Sequence, residues 1–389
     1  MKVFIFINAP FPEGMASTKR VLCYAKGLKA VGVDVEVDVI HSFFSKEEDC
    51  RFPVKGDFEG VTYNYICGKL YPRSVLKRKL KKVDDMLKLY SYAIEHVKSG
   101  DVIYCNFRRI ESAYMLMMAA KKTGAKIVQE LCEIPYINMK FKSRLKRWYY
   151  QTIQMRHFNG IVPISHSLDA YIHQHSPKMK TIIVPILVED DKQVKIGENP
   201  YKMPYIVHTG TMVENKDGIS CILKAFAKVK ESDVTGCKLV FAGPQSTESC
   251  SYIPQMKELG IRDDVILLGM IKDSKKLISL QQNASMSIVY RYDNMQARYG
   301  FSTKMGEVLI TGKPLITTPI GGHKDYLIDK ENALIVEPGN IQQLADTINY
   351  VLRNPQESKI IGDKGRELAL NEFSAYKHGT RLKDFFETL

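Results

Sequence analysis

Residues 299–322, YGFSTKMGEVLITGKPLITTPIGG, form the stretch whose residue types and spacing best suit chemistry. Gly300 lets the backbone approach a ligand closely because it carries no side chain. The run after it can open a helix, and the unpaired N–H groups of a helix start attract a phosphate anion. Glu307 lies roughly two turns further on, where its carboxylate can accept hydrogen bonds from vicinal hydroxyls such as those of a ribose. The spacing predicts a nucleotide site.

The elements that must position this stretch alternate along the chain. An apolar run at 3–8, a helical pattern at 17–31 capped by Ser17 or Thr18, and an alternating run at 33–40 form one β–α–β unit. This rhythm predicts largely parallel sheets covered by helices on both faces. The further predicted strands lie at 61–66, 102–105, 126–129, 161–164, 181–184, 205–210, 238–243, 265–269, 285–290 and 313–318.

The length of 389 residues suits two α/β domains rather than one. The polar segment 188–204 is predicted to link a first domain, residues 1–187, to a second domain, residues 205–372. An amphipathic helix is expected at 217–230, and residues 373–389 are expected to form a final helix. Ligands of such sheets bind beyond the carboxyl ends of the strands, so we expect the chemistry at strand-to-helix turns.

Charge and cysteine content exclude some classes of protein. Residues 1–200 hold 32 Lys and Arg against 21 Asp and Glu, so most of the net charge of +13 lies in the first half of the chain. This excess of positive charge favours an anionic partner for the first half. Eight cysteines without a CxxC pair argue against a zinc ribbon and fit a reducing compartment. The N-terminal apolar run has the length of a buried strand rather than of a signal peptide, and no run approaches a membrane span.

The block at 299–322 resembles the donor-site signature of glycosyltransferase family 4, whose members are retaining enzymes of the GT-B fold. That fold implies two Rossmann-like domains with parallel sheets that face an interdomain cleft. In the family, two glutamates with seven residues between them flank the helix start. The second matches Glu307, whereas Tyr299 stands where the first belongs, near the transferred sugar. The resemblance implies that the donor is bound by Gly300, Phe301, Ser302, Thr303 and Glu307.

A second match lies at 207–219, VHTGTMVENKDGI. Members of the family place an arginine after the strand and a lysine five residues later, and both neutralise the donor diphosphate. Lys216 occupies the lysine position, but Thr211 stands at the arginine position. We expect Arg291 or Arg298, which precede the donor signature, to supply the missing cation.

Weaker matches complete the resemblance. The strand at 265–269 and its following residues resemble the part of the family site that meets the nucleotide base, implying backbone contacts from Met270, Ile271 and Lys272. In the first half, Gly14 matches the glycine of the family's first loop. Glu133 matches an acidic position near the reacting centre, where it can orient or deprotonate the acceptor hydroxyl. Cys132 replaces a histidine often found beside it.

The sequence therefore predicts a retaining transferase that moves a sugar from a nucleotide-diphosphate sugar to a hydroxyl acceptor, in polysaccharide or glycolipid synthesis. No Asp-x-Asp pair is evident, so neither a metal nor another cofactor is expected. Three alternatives remain open: a nucleotide-sugar epimerase, a non-catalytic nucleotide-sugar or lipid-binding subunit, and a nucleic-acid-binding protein, although no nucleic-acid motif is present.

Two basic stretches explain the charge of the first half. Residues 71–82 contain six cations with Leu76 and Leu80 at helical spacing, and residues 139–151 mix five cations with aromatic side chains. A basic helix with apolar anchors suits anionic lipid headgroups, although the same pattern also fits a solvated face. The sequence thus predicts a cytoplasmic protein that can associate peripherally with the inner face of a membrane.

Overall fold

A computed structural model describes residues 1–47, 50–137, 140–189, 197–232, 236–244 and 247–389. The chain divides into two compact units. The first comprises Met1–Glu189 together with Ala375–Leu389, and the second comprises Asp190–Ser374. Most of the polar segment predicted as a linker, residues 190–196, lies outside the described residues. Among the described residues, no helix combines the length and apolar composition that crossing a bilayer requires.

The first unit contains a seven-stranded sheet with helices along it. Its strands are β1 Lys2–Ile7, β2 Asp34–Val39, β3 Lys55–Phe58, β4 Val61–Tyr65, β5 Val102–Asn106, β6 Lys126–Leu131 and β7 Gly160–Pro163. Its helices are α1 Ala16–Ala30, α2 Val75–His96, α3 Ile110–Thr123, α4 Phe141–Thr152 and α5 His166–His175, with the chain-terminal helix Ala375–Glu387 added.

The order of the strands in this sheet is β3-β4-β2-β1-β5-β6-β7, and every pair except β3–β4 is parallel. The chain therefore winds in opposite directions from β1 towards β2 and towards β5. This switch point is where open α/β sheets bind ligands, outside the carboxyl ends of the strands. β1 is buried at five of its six residues, as expected for a strand covered on both faces.

The terminal helix packs directly on α1. A side chain at Gly27 would overlap the carbonyl of Ala375, and one at Gly379 would overlap the carbonyl of Gly27. The two helix backbones thus touch where both residues are glycine. Because Leu382, Phe385 and Phe386 also enter the core of the first unit, the end of the chain stabilises that unit.

Two local predictions for the first unit are wrong. Residues 181–184 form only a single bridge, between Thr181 and Ile161. The NH of Val184 still bonds the carbonyl of Pro163 at 3.1 Å, but proline has no N–H with which to continue a ladder. Helix α1 is capped at Met15 rather than at Ser17 or Thr18, since the Thr18 hydroxyl donates to the carbonyl of Pro10 at 2.6 Å.

The second unit contains a six-stranded parallel sheet in the order β10-β9-β8-β11-β12-β13, whose switch point lies between β8 and β11. The strands are β8 Tyr205–Thr209, β9 Lys238–Ala242, β10 Val265–Gly269, β11 Met286–Val289, β12 Leu315–Thr317 and β13 Leu334–Ile335. The helices are α6 Glu214–Asp217, α7 Ile219–Lys230, α8 Thr247–Glu258, α9 Ser274–Asn283, α10 Met295–Tyr299, α11 Thr303–Leu309, α12 Ile341–Arg353 and α13 Pro355–Glu372, and the chain-terminal helix becomes α14.

The predicted helix at 217–230 is interrupted near its start. Gly218 adopts a left-handed conformation with φ 58°, which favours glycine and separates α6 from α7. The break matters for the site because it leaves Asp217 at the end of a separate single turn, where its side chain is buried.

Candidate active site

Glycines follow two neighbouring strands, β8 and β9, beside the switch point of the second sheet. Gly210 follows β8 with φ 134°, and its N–H donates to the carbonyl of Ala242 at 2.9 Å. A side chain at Gly243 would overlap the carbonyl of Gly210, and one at Gly210 would overlap the ammonium of Lys304. Glycine at these positions therefore lets the Lys304 side chain lie across the strand ends.

Lys304 forms a buried ion pair with Asp217. The Nζ–Oδ1 distance is 2.5 Å, and the two side chains are 14% and 5% exposed. Burial lowers the pKa of Lys304, and the attraction of Asp217 only partly offsets that effect. Burial alone would raise the pKa of Asp217, but the charge and the hydrogen bond of Lys304, together with neighbouring positive groups, outweigh that effect, so the pKa is lowered. The carboxylate thus holds a lysine at the carboxyl edge of the sheet.

Two predicted site residues add positive charge beside Lys304. Lys216, which is exposed, and Arg291, whose side chain is buried, both repel Lys304 and contribute to lowering its pKa. Arg291 is positioned by Thr318, whose hydroxyl accepts from the Arg291 N–H at 3.1 Å and donates to its carbonyl at 2.8 Å. Three cations near one carboxylate repel one another, and an anion bound among them would relieve that repulsion.

The structure distinguishes the two arginines proposed to replace the missing cation at Thr211. Arg298 is exposed and forms a two-pronged ion pair with Asp293, with N–O distances of 2.5 and 2.9 Å. Arg291, in contrast, lies within electrostatic reach of Lys304. Thr211 itself is half-buried just beyond Gly210. Arg291 is therefore the better placed of the two for an anion at this switch point.

The donor signature forms a tightly packed turn. The Gly300 N–H donates to the Gln296 carbonyl at 3.1 Å, and the Gly300 carbonyl accepts from Gly322 at 3.1 Å, so the local backbone uses both groups. Phe301 is buried and stacks on Tyr326, with 5.6 Å between ring centroids. Phe301 thus anchors the turn from inside, and its ring does not present a surface for a substrate.

Helix α11 begins after Ser302 and has seven residues. Thr303 and Glu307 are half-exposed, while the other side of the helix is buried. Lys304 and Glu307 are three residues apart, which makes them neighbours on one side of the helix. Tyr299 is half-exposed at the end of α10. The signature therefore directs Lys304 and Glu307 to the same side.

The loop after β10 contains the residues predicted to meet the base. Met270 is 57% exposed and Lys272 is exposed, whereas Ile271 packs against the cluster that includes Tyr205 and Val207. Backbone contacts of this loop with a base remain a prediction.

Two buried histidines lie near the switch point without having been predicted as site residues. His208 Nδ1 donates to the Ile288 carbonyl at 2.9 Å, and His323 Nδ1 lies 2.9 Å from the Thr317 hydroxyl. Burial, followed by the positive charge of Lys304 and of Arg291 respectively, lowers the pKa of His208 to about 4 and that of His323 to about 3. Both rings are therefore neutral at pH 7.

The predicted residues of the first unit lie in the loops after β1 and β6. Gly14 is exposed after β1, and a side chain there would overlap the Thr18 hydroxyl. Glu133 forms an ion pair with Arg108, at 2.5 Å, and its side chain is 26% exposed. Burial raises the pKa of Cys132 well above its usual value, so its thiol stays protonated at neutral pH.

Sequence reasoning missed Lys304 and the role of Asp217. Lys304 stands inside the quoted signature, one helical turn before Glu307, and that spacing was the available signal. Its pairing with Asp217 spans 87 residues of sequence, so no local pattern could reveal it. Among the described residues, no group of three histidine, cysteine or carboxylate side chains lies close enough to hold a metal ion.

Comparison with known proteins connects this geometry to a family. Residues 189–368 match the family model of glycosyl transferases group 1. The chain is 28% identical over 177 residues to a trehalose synthase of Pyrococcus horikoshii, covering 44% of this chain and 41% of that protein. It is 25% identical over 199 residues to the capsular polysaccharide biosynthesis glycosyltransferase CapM of Staphylococcus aureus, covering 51% and 49%. The chain thus spans less than half the length of these curated relatives.

Solved structures extend the comparison over the whole chain. The Anabaena protein HepE, solved in complex with UDP, matches with a TM-score of 0.73 at 15% identity, covering 100% of both chains. At 15% identity, this similarity shows only that the two proteins share a fold. Residues 189–368 are therefore similar to glycosyl transferases group 1, and the chain has the GT-B fold of glycosyltransferases.

Proposed function

We propose that the chain transfers a sugar, with retention of anomeric configuration, from a nucleotide-diphosphate sugar to a hydroxyl acceptor. The observation that carries this proposal is the group of cations at the switch point of the second sheet, where Lys304 lies across Gly210 beside Lys216 and Arg291. A diphosphate leaving group gains negative charge as its bond to the sugar breaks, and fixed cations at that point stabilise the transition state.

In this scheme the residues around the switch point have defined tasks. Lys304 and Arg291 compensate for the absence of charge at Thr211, and Lys216 approaches from the exposed side. Glu307 binds the hydroxyls of the nucleoside ribose, and Tyr299 lies near the transferred sugar. Because three cations already face the diphosphate, we propose that the reaction requires no divalent metal.

The comparisons support uridine as the base and a polysaccharide or glycolipid as the product. HepE is described in complex with UDP, and CapM is named for capsular polysaccharide biosynthesis. We therefore propose UDP-sugars as the first donors to test, with a saccharide or lipid-linked hydroxyl as acceptor. Glu133, held by Arg108, is proposed to orient that hydroxyl.

Donor turnover tests the proposal. The protein is incubated with UDP-glucose and UDP-N-acetylglucosamine, with and without a panel of saccharide and lipid-linked acceptors, and UDP release and the anomeric configuration of the product are followed by NMR. We expect acceptor-dependent UDP release and an α-linked product from these α-linked donors. A new free sugar nucleotide formed without acceptor would indicate an epimerase instead, and donor binding without any turnover would indicate a non-catalytic subunit.

We further propose that the first unit docks on an anionic membrane surface. Helix α2 carries four aliphatic side chains at helical spacing, each between 59% and 67% exposed, namely Leu76, Leu80, Val83 and Leu87. Such a continuous apolar stripe is unusual on the solvent side of a soluble protein. The six cations within residues 71–82 surround its first half, and that charge complements anionic headgroups.

Helix α4 repeats the combination of exposed apolar and cationic residues. Phe141, Leu145 and Trp148 follow one another at helical spacing and are 79%, 55% and 55% exposed. The predicted stretch 139–151 begins at Met139, which lies outside the described residues. Aromatic and aliphatic anchors beside lysine and arginine are the composition of helices that lie in the headgroup region of a bilayer.

Co-sedimentation with liposomes of increasing phosphatidylglycerol content tests the docking surface. We expect binding to rise with anionic lipid and to fall at least severalfold in Leu80→Asn and Trp148→Asn. Ile360→Asn, which removes an equally exposed aliphatic side chain from α13, is the matched control and should bind like the wild type. Binding that ignores the anionic fraction would reject this proposal.

A further inference from the structure

The first unit contains an open pocket of about 290 Å³ that none of the predicted site residues lines. Its floor includes Asn8, immediately after β1, and His41, shortly after β2, while Arg109 follows β5. These three strands are the central neighbours of the sheet, so the pocket lies at the carboxyl edge beside the switch point, where this kind of sheet binds ligands.

The wall of the pocket is strongly positive. Arg78, Lys81 and Lys82 line it from α2 and Arg109 lines it from the start of α3, and they face the single carboxylate of Asp85. Arg78 is fixed by a hydrogen bond from its Nε to the Pro72 carbonyl at 2.7 Å. Four cations and one carboxylate leave an excess of positive charge that suits a ligand with two or more negative charges.

A chain of polar contacts holds Arg109 and Lys81 in place. His41 lies between Arg109, which contacts its Nε2, and Asp85, whose Oδ2 is 3.7 Å from its Nδ1. Lys81 Nζ contacts the other oxygen of Asp85 at 2.7 Å and the Cys67 carbonyl at 2.8 Å. Asp85 therefore neutralises Lys81, while Arg109, Arg78 and Lys82 keep their charge for a ligand.

We infer that this pocket binds the phosphate or diphosphate group of the acceptor. The inference rests on the proposed function, because it assigns the pocket to the acceptor of that reaction. Phosphate esters are the class of ligand that arginine recognises through paired N–H donors and lysine through its point charge. The acceptor is then a hydroxyl compound with a phosphate or diphosphate at its other end.

The position of the pocket on α2 suggests how such an acceptor arrives. Arg78, Lys82 and Asp85 lie on the side of the helix that lines the pocket, and the exposed stripe Leu76, Leu80, Val83 and Leu87 lies on the opposite side at 100° per residue. One helix thus combines an apolar side with a cationic side that lines the pocket. In a diphosphate that carries a lipid chain, the lipid suits the apolar side and the diphosphate suits the cationic side.

Calorimetric titration of the whole protein with inorganic pyrophosphate, in the presence of saturating UDP, tests the pocket. We expect pyrophosphate to bind, and Lys82→Gln and Arg109→Gln each to weaken it about tenfold, as expected for the loss of one charge-assisted contact. Lys79→Gln removes the same charge from the same helix outside the pocket and should change the affinity less than twofold. Absence of binding, or equal losses in all three variants, overturns the inference.

Two further titrations distinguish the source of the anion. Farnesyl diphosphate in detergent micelles represents a lipid-linked acceptor, and glucose 1-phosphate represents a soluble one. If one of these two ligands binds more tightly than the other and its binding is lost in Lys82→Gln, the result supports the pocket and identifies the source of the anion. If neither ligand binds, the inference is overturned. UDP affinity, measured in the same samples, reports on the proposed function separately and should be unchanged by the pocket substitutions.

Discussion

The ion pair between Lys304 and Asp217 offers a perturbation that separates a structural role from a ligand-binding role. Both side chains are nearly buried, and their charged atoms are 2.5 Å apart. Lys304→Gln removes the cation and leaves the carboxylate, whereas Asp217→Asn removes the carboxylate and leaves the cation. If the pair serves only stability, the two variants should behave alike in every assay.

The expected magnitudes follow from the surroundings of the pair. Removing one partner of a buried ion pair costs about 3 kcal/mol or somewhat more, so both variants should lose stability. A charge-assisted hydrogen bond to a phosphate contributes about 1.5–3 kcal/mol, so Lys304→Gln should weaken UDP binding about 10- to 150-fold. Asp217→Asn removes the group that competes with the phosphate for Lys304, so UDP affinity should be retained or increased.

The assay combines urea denaturation with calorimetric titration of UDP. Lys224→Gln, which alters an exposed lysine on α7 of the same unit, is the control and should match the wild type in both measurements. The reasoning is refuted if Asp217→Asn and Lys304→Gln lose UDP affinity to the same extent, because the pair would then serve only the fold.

Three further predictions concern the same unit. Gly210→Ala should destabilise the protein by about 1–3 kcal/mol and lower UDP affinity, since its methyl group would displace Lys304. Gly260→Ala is the control, because Gly260 also has a positive φ, of 67°, but has open space around it, so the substitution should affect stability alone. The free energy of unfolding should fall as the pH is lowered from about 6.5 towards 4, by up to about 1.4 kcal/mol per pH unit for each buried histidine. The reason is that His208 and His323 bind protons in the unfolded chain at a pH where the folded rings stay neutral. A free energy of unfolding, measured by urea denaturation, that does not change over this pH range would contradict the prediction. EDTA should leave the initial rate of UDP release unchanged, and a rate that depends on added Mg²⁺ or Mn²⁺ would contradict a metal-free mechanism.

Elements with strong hydrophobic patterns were predictable from the sequence. The run at 33–40 became β2 at Asp34–Val39, because alternation and burial on both faces leave little choice of conformation. The antiparallel strand β3, Lys55–Phe58, was not predicted from the sequence, because none of its four residues is buried and one of them is a glycine. The strand forms because it pairs with β4, and not because its own residues favour a strand.

The candidate site was predictable only where its residues are close in sequence. The signature around Glu307 suggested a donor site, but the structure shows Phe301 turned into an aromatic core and Arg298 paired with Asp293. The pair of Lys304 with Asp217 joins distant segments through the topology of the sheet. Local spacing carries no information about such a contact.

Calorimetry of UDP against uridine tests the central claim most directly, since the two ligands differ only in the diphosphate that the cations beside Gly210 are proposed to bind. We predict that UDP binds the wild-type protein at least about tenfold more tightly than uridine, a difference of about 1.4 kcal/mol. Equal affinities, or no binding of UDP, would contradict the assignment of these cations to a nucleotide-sugar donor.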